Sequence, residues 1–228
     1  SEEVEIWTDI DGFHNNDPRF VDNTRKIDQL SFDEAAELAY FGAKILHPQT
    51  VLPAKLQNIP VRLKNTMNPS DPGTLIASSS SGHGIKAVAA KDGITAIKIR
   101  SYRMLNAYGF LKNVFEIFEF FKTPIDMIST SEVAVSLTID NTKHLNEIVS
   151  ELKEYGEVEV DTDQTIVCIV GDMIAEETGF ATKVFTALKE VPIRMISYGG
   201  SRHNISVLVK TELKKQTLQA LSNNLLNA

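Results

Sequence analysis

The chain contains little cysteine and no excess of positive charge, and each shortage excludes a class of protein. Its 228 residues include one cysteine, Cys168, so no disulfide can form within a single chain. Cys168 lies inside the apolar run at 165–170, which predicts a buried and unreactive thiol. The net charge of -7 argues against a nucleic-acid partner, because neutralising phosphates requires a basic face.

Long hydrophobic runs are also missing. No apolar run reaches the length that crosses a bilayer, and the residues Ser1 to Glu3 do not begin a signal peptide. We therefore expect no membrane partner and a cytoplasmic location. The composition, with 43% apolar and 23% charged residues, is typical of a globular protein with room for two or three domains.

The sequence lacks complete metal-binding and nucleophile patterns. Asp9 and Asp11 have the spacing that opens a calcium loop, but the third ligand and the terminal glutamate of an EF-hand are missing. We therefore predict no metal site formed by the chain itself. The sequence shows no Ser-His-Asp arrangement, and we assign no catalytic residue within this fragment.

One stretch of the sequence occurs twice. Gly-Phe-x-x-x-Val-Phe begins at Gly109 and again at Gly179, an offset of 70 residues. Pro-Ile-x-Met-Ile-Ser begins at Pro124 and again at Pro192, an offset of 68 residues. A fixed internal period indicates duplicated structural units.

The hydrophobic pattern of each copy predicts the same order of elements. In the first copy these are a strand at 94–99, a helix from Gly109 that Pro124 ends, strands at 125–128 and 133–139, a helix at 144–155, and a strand from Val158. The order βαββαβ is the ferredoxin-like unit, an antiparallel sheet with two helices on one face. The second copy follows with a strand at 166–170, a helix at 180–188, two strands and a helix at 213–225. We therefore predict the α+β class with two tandem modules, at 85–160 and 161–228, after a linker at 78–84.

Residues 1–77 lie outside the repeat and predict only part of a domain. Residues 4–8 and 60–65 read as strands. Ser31 and Glu34 form a capping-box pattern that starts a helix, which we expect to run to Leu46 and to end at His47-Pro48. Two strands and one helix bury too little surface to fold alone, so we expect the end of a larger domain.

The motifs Trp-Thr-Asp-Ile-Asp-Gly at 7–12, Asp-Pro-Arg at 17–19 and Leu-Ser-Phe-Asp-Glu-Ala-Ala-Glu-Leu-Ala at 30–39, continuing to Pro48, closely resemble the C-terminal part of the aspartate kinase catalytic domain. In that family an amino-acid kinase domain is followed by two ACT modules, which the repeat resembles. The pattern Met104-Leu105 to Gly109-Phe110-Leu111, with 130–135, is most similar to lysine-inhibited monofunctional members. The resemblance covers essentially the whole chain, without the upstream part of the kinase domain.

The resemblance implies ATP-dependent phosphorylation of the side-chain carboxylate of L-aspartate to 4-phospho-L-aspartate, early in lysine, threonine and methionine biosynthesis, with Mg²⁺ bound to the nucleotide. We expect the truncated chain alone to be inactive. By position, the resemblance assigns nucleotide contacts to Thr8, Asp9, His14, Arg19, Lys44 and Ile45. His14 stands where many relatives have tyrosine.

A lysine effector requires an anion site for its carboxylate and acidic partners for its two ammonium groups. Gly109 at a helix start leaves the amides of Phe110 and Leu111 available for a carboxylate. Asp126 and Glu132 could receive the ammonium groups. From spacing alone, we would interpret Asp126 and Glu132 as two ordinary exposed carboxylates on a sheet edge. The second copy has Arg194 and Arg202 at these positions, so we expect lysine in the first copy only and a structural role for the second.

In the family the effector lies between ACT modules of two subunits, which implies a homodimer. The resemblance adds the effector positions Met104, Ala107, Ile125, Thr130 and Ser131, where Ala107 replaces a serine often found in relatives. Two alternatives stay open from the sequence. One is a non-catalytic amino-acid sensor that keeps a piece of kinase domain, and the other is a threonine-regulated fragment of a bifunctional aspartate kinase-homoserine dehydrogenase.

Overall fold

The amino-terminal unit is built on a four-stranded sheet. The computed structural model describes residues 2–42, 46, 48–80, 84–101, 108–172 and 176–226. We define the amino-terminal unit as residues 2–80; it contains β1 (Val4–Thr8), β2 (Gln29–Ser31), α1 (Phe32–Tyr40), α2 (Pro48–Leu56), β3 (Val61–Asn65) and β4 (Thr74–Ala77). The strand order is β1-β3-β4-β2, and β1 runs parallel to β3.

Helix α1 starts as the sequence predicts but ends earlier. The Ser31 hydroxyl accepts the Glu34 N–H at 3.2 Å, and the Glu34 carboxylate accepts the Ser31 N–H at 2.7 Å, which confirms the capping box. The helix ends at Tyr40 and not at Leu46, because Gly42 has a φ of 131° and turns the chain. Pro48 begins α2 instead of ending α1, since proline fits the first turn of a helix.

The rest of the chain forms one six-stranded sheet, which we call the large sheet. Its elements are β5 (Gly84–Arg100), α3 (Phe110–Phe120), β6 (Ile128–Thr130), β7 (Ala134–Ile139), α4 (Leu145–Leu152), β8 (Glu157–Asp172), α5 (Phe180–Ala187), β9 (Met195–Tyr198), β10 (Asn204–Lys210) and α6 (Lys214–Leu221), which continues into a π-helical turn at Ser222–Leu226. The strand order is β6-β7-β5-β8-β10-β9. The chain is therefore an α+β protein with two ferredoxin-like modules after the amino-terminal unit.

The two modules share their central strands. In the first module the later part of β5 lies between β7 and the start of β8, with Ile97 opposite Leu137 and Val160. The earlier part of β5, residues 84–91, pairs instead with the later part of β8, with Val88 opposite Ile169. Residues 84–91 thus supply the fourth strand of the second module, although the sequence places them with the first.

Each face of the large sheet is buried by a different partner. Val88 and Val167 pack beneath α5 and α6, and Ile97 and Leu137 pack beneath α3 and α4. The neighbouring residues, such as Ala89, point to the opposite face and join a core with the amino-terminal unit. The helices of the modules cover one face, as predicted, and the amino-terminal unit covers the other.

Candidate functional site

The predicted nucleotide positions Thr8 and Asp9 lie where β1 ends. Thr8 is paired in register with Asn65, so the carboxyl ends of parallel β1 and β3 meet at one edge of the sheet. The Thr8 carbonyl accepts both the N–H and the hydroxyl of Thr66, each at 2.8 Å. The Thr8 hydroxyl accepts the Ile10 N–H at 3.0 Å, and Asp9 is exposed. Ligands of α/β folds bind at this kind of edge.

His14 and Arg19 lie on the loop that follows. His14 Nε2 is 2.9 Å from Asp11 Oδ1, and His14 Nδ1 is 3.2 Å from Thr24 Oγ1. The Arg19 guanidinium contacts Asp17 at 2.7 Å and is 78% exposed. Burial raises the pKa of Asp17, but the hydrogen bonds from Arg19 outweigh it and keep this pKa below its usual value.

Arg19 does not contact Thr8 or Asp9 directly, since among the residues that the structure describes no hydrogen bond or ion pair joins it to either. Instead the loop carrying Arg19 rests on α6, where the Gln219 side-chain amide donates to the Phe20 carbonyl at 3.2 Å. Four predicted residues lie outside the described part of the chain: Lys44, Ile45, Met104 and Ala107.

The predicted carboxylate-binding turn lies at the start of α3. Gly109 precedes the helix with a φ of 83°, and, chain neighbours and the helix's own backbone aside, no atom of the described residues lies within 4 Å of the position that a Cβ would take. Phe110 is buried and Leu111 packs against the core of the first module. The first helical amides lack intrahelical acceptors, as at any helix start. Gly179 repeats this geometry in the second module with a φ of 80°.

The predicted ammonium-binding residues have different environments. Ile125 packs in the core of the first module, and Thr130 in β6 pairs with Val135. The Ser131 N–H donates to the Ala134 carbonyl at 2.8 Å, which closes the hairpin on which Glu132 is exposed. Asp126, by contrast, precedes β6, and its side chain is only 2% exposed.

Asp126 is already bound by two other residues of the chain. The Tyr40 hydroxyl, at the end of α1, donates to Asp126 Oδ1 at 2.7 Å. Lys91 Nζ in β5 lies 2.9 Å from the same oxygen and 2.8 Å from Asp140 Oδ2. The ammonium also lies 4.5 Å from the centre of the Tyr40 ring, within reach of a cation–π interaction. This cluster joins the amino-terminal unit to the first module.

The cluster shifts two pKa values. Burial, with the hydrogen bond to Asp126, raises the pKa of Tyr40 to about 12. Burial lowers the pKa of Lys91, but the carboxylates of Asp140 and Asp126 together raise it above its ordinary value. Lys91 is therefore charged at neutral pH. This contact has no signal in the sequence, because Tyr40 and Asp126 are 86 residues apart and no local pattern relates them.

A cavity of about 260 Å³ lies beside the cluster, between α1 and the large sheet. It is lined by Asp126 and Glu37 and by the polar residues Ser197, Ser201, Asn204 and Ser206. Asn204 donates to the Glu37 carboxylate at 2.6 Å. A second cavity of about 580 Å³ lies beside α5.

The second module differs in charge at the corresponding positions. Arg194 contacts Asp161, and Arg202 lies 3.2 Å from Glu176. These arginines stand where the first module has Asp126 and Glu132, as the repeat alignment predicts. Within the described ranges no cluster of His, Cys, Asp and Glu could hold a metal ion, and no helix has the length and hydrophobicity to cross a membrane.

Comparisons with known proteins agree with this architecture. Residues 1–65 match the amino acid kinase family and residues 167–225 match an ACT domain. Lysine-sensitive aspartokinase 3 of Escherichia coli is 38% identical over 231 residues, which are 97% of this chain and 51% of that protein. The chain therefore spans about half the length of the curated relatives it matches.

Solved structures show the same similarity. Escherichia coli aspartokinase III in complex with aspartate and ADP (R-state) superposes with a TM-score of 0.91 at 37% identity, covering 99% of this chain and 53% of that chain. Its complex with lysine and aspartate (T-state) has a TM-score of 0.87 at 37% identity, covering 99% and 52%.

A C-terminal regulatory domain of aspartate kinase from Porphyromonas gingivalis W83 is 56% identical, with a TM-score of 0.56, and covers 61% of this chain and 96% of that chain. This relative is matched over nearly its whole length, and the aspartokinases match this chain from end to end. The chain therefore belongs to the aspartokinase family.

Proposed function

We propose that the complete protein containing this chain is an aspartate kinase. It would transfer the γ-phosphoryl group of ATP to the side-chain carboxylate of L-aspartate, giving 4-phospho-L-aspartate for lysine, threonine and methionine biosynthesis. The observation that carries this proposal is the similarity along 97% of the chain to lysine-sensitive aspartokinase 3. The related E. coli structure contains aspartate and ADP, the substrate and product that the reaction requires.

The described residues fit part of a nucleotide site. Arg19 binds Asp17 through Nε and Nη2, and the guanidinium still has N–H groups in solvent for a phosphate oxygen. The hydroxyl of Thr8 keeps its proton to donate, since it acts as an acceptor toward Ile10. Mg²⁺ would arrive bound to the phosphates of ATP, where it would shield their negative charge during in-line transfer. We assign no Mg²⁺ ligand to the described residues.

L-Lysine is the effector that we propose for the first module. An ammonium group matches Asp126 and Glu132, whereas the arginines of the second module would repel it. The carboxylate would accept hydrogen bonds from the amides at the start of α3. The related E. coli aspartokinase III has been solved in complex with lysine and aspartate, which supports this choice.

We also propose a homodimer formed through the first modules. Strand β6 is an edge of the large sheet, and its Ile128 side chain is 43% exposed. Exposed sheet edges pair readily with another strand. Sedimentation velocity of the 228-residue chain over a range of concentrations tests this directly. A species of monomer mass at all concentrations would exclude the dimer.

The experiment for the catalytic proposal uses the whole encoded protein. Its ADP release is measured with and without L-aspartate, and the 228-residue chain is titrated separately with lysine, threonine and methionine by calorimetry. We expect aspartate-dependent ADP release that lysine inhibits, and lysine heat from the 228-residue chain. Lysine binding without any ADP release would identify an amino-acid sensor. Threonine binding without lysine binding would support a threonine-regulated enzyme instead.

A further inference from the structure

The carboxylate that we assign to the effector is occupied by a cation of the same chain. Lys91 Nζ lies 2.9 Å from Asp126 Oδ1 and is 18% exposed, so the pair is largely removed from solvent. The group on Lys91 is a primary ammonium, chemically the same as the side-chain group of a lysine effector. Two ammonium groups cannot both take the same position on Oδ1.

The surroundings of Lys91 give its ammonium a second carboxylate. Asp140 Oδ2 lies 2.8 Å from Nζ, and its side chain is 37% exposed. If Lys91 leaves Asp126, it can keep the ion pair with Asp140 near the surface. The exchange therefore leaves the charge of Lys91 paired, whereas an unpaired buried charge would be strongly unfavourable.

Asp126 also has a hydrogen-bonding capacity that no described residue uses. Oδ2 is buried and lacks a hydrogen-bond partner within the described part of the chain. A buried carboxylate oxygen that accepts no hydrogen bond is stabilised when a new N–H group donates to it. An incoming ammonium that displaces Lys91 could bind both oxygens of Asp126.

We propose that Lys91 is an affinity-determining residue of the effector site, a resident cation that the effector's ammonium must displace from Asp126. This inference rests on the proposed function, since it presumes an ammonium-bearing effector at Asp126. When the effector binds, Lys91 moves to Asp140 alone. The Tyr40 hydroxyl then either donates to Asp126 beside the effector's ammonium or loses this hydrogen bond. Effector binding to the first module therefore changes a contact at the end of α1.

The test is calorimetric titration of the 228-residue chain and its variants with L-lysine. Lys91→Met removes the competitor, and we expect lysine to bind about 10-fold more tightly, since a charge-assisted hydrogen bond no longer has to be broken. Asp140→Asn removes the alternative partner of Lys91, and we expect binding about 10-fold weaker. Lys98→Met is the matched control because it removes a charge from the same strand, where Lys98 pairs with Glu159 at 3.5 Å. It should change affinity less than about twofold.

The possible results separate the exchange from the effector assignment. If the unaltered chain binds lysine and Lys91→Met binds it equally or more weakly, the exchange is wrong and the effector assignment stands. If only Lys91→Met binds lysine, the exchange stands and lysine regulation of the unaltered protein fails. If neither binds lysine, both proposals fail. Should Lys91→Met not fold, Asp140→Asn decides alone, since equal or tighter binding there would contradict the exchange.

Discussion

The side-chain amide of Asn16 donates a hydrogen bond of 3.2 Å to the backbone carbonyl of Leu218, which lies 202 residues further along the chain. Asn16 is buried, with 3% of its surface exposed. Phe20 lies on the same loop as Asn16, and the ammonium of Lys214 in α6 lies 4.3 Å from the centre of the Phe20 ring. The second module thus holds the loop that carries Arg19, one of the residues proposed for nucleotide binding.

Asn16→Ala should destabilise the chain by about 1–3 kcal/mol, because it removes a buried hydrogen bond between the two units. Urea unfolding followed by circular dichroism measures the change in the free energy of unfolding. Asn146→Ala is the matched control, since Asn146 is exposed on α4. Its effect should stay within about 0.5 kcal/mol. Equal effects of the two substitutions would show that the contact between Asn16 and Leu218 contributes nothing.

Gly42→Ala should lower the free energy of unfolding more than Asn16→Ala does. The added Cβ would lie 2.1 Å from the Ala90 carbonyl oxygen of β5, and the residue has a φ of 131°. Neither the backbone of β5 nor the turn can move freely, so we expect a loss of about 3 kcal/mol or more in the free energy of unfolding. Gly93→Ala is the control, since Gly93 has a φ of 76° but no atom within 4 Å of the added Cβ. Its loss should be about 1–2 kcal/mol.

Cys168 should report separation of the amino-terminal unit from the large sheet. Its side chain is fully buried in the core that these two parts share, and burial raises the pKa of the thiol far above its ordinary value. We expect no reaction with a thiol-specific disulfide reagent in buffer and full reaction in urea. Cys168→Ala provides the blank. Gly42→Ala should speed the reaction in buffer; rapid labelling of the unaltered chain would contradict the buried position.

Tyr40 should lose its proton at a higher pH than an ordinary tyrosine. Its pKa is raised from 10 to about 12, so the fold favours the protonated phenol. The stabilisation is complete below pH 10 and is lost as the pH rises toward 12. Absorbance at the phenolate band during alkaline titration should show a late component, which Tyr40→Phe abolishes. Tyr108→Phe, which removes the hydroxyl of a fully exposed tyrosine, should leave that component in place.

Local patterns predicted most helices and strands. The capping box at Ser31, the glycine before α3 and the alternation in β7 each act within a few residues, so they can be recognised from sequence. The predicted end of α1 was wrong because Gly42 turns the chain toward β5. The close approach of Gly42 to Ala90 is a tertiary contact, which no local sequence pattern reveals. For the same reason the continuity of β8 was missed, since residues 158–160 and 166–170 read as separate strands.

The candidate site was predicted less completely than the fold. Asp126 was recognised because a carboxylate interrupts an apolar segment, which indicates a partner but does not identify it. The partners Lys91 and Tyr40 come from β5 and α1, and only tertiary packing brings them to Asp126. The roles of Thr8, Arg19, Gly109 and Glu132 remain predictions that the binding experiments address.

Strands β5 and β8 each pass through both ferredoxin-like modules, so the two modules share one continuous pair of strands. The ladder between them shifts register between Ile85 and Ala87, between Lys91 and Ile94, and between Ile94 and Ala96, and Gly93 has a φ of 76°. Two of these three irregularities lie within residues 91–96, between the part of β5 that pairs in the second module and the part that pairs in the first, and Lys91 stands at their start. The lysine that contacts Asp126 in the proposed effector site therefore lies at the junction between the two modules.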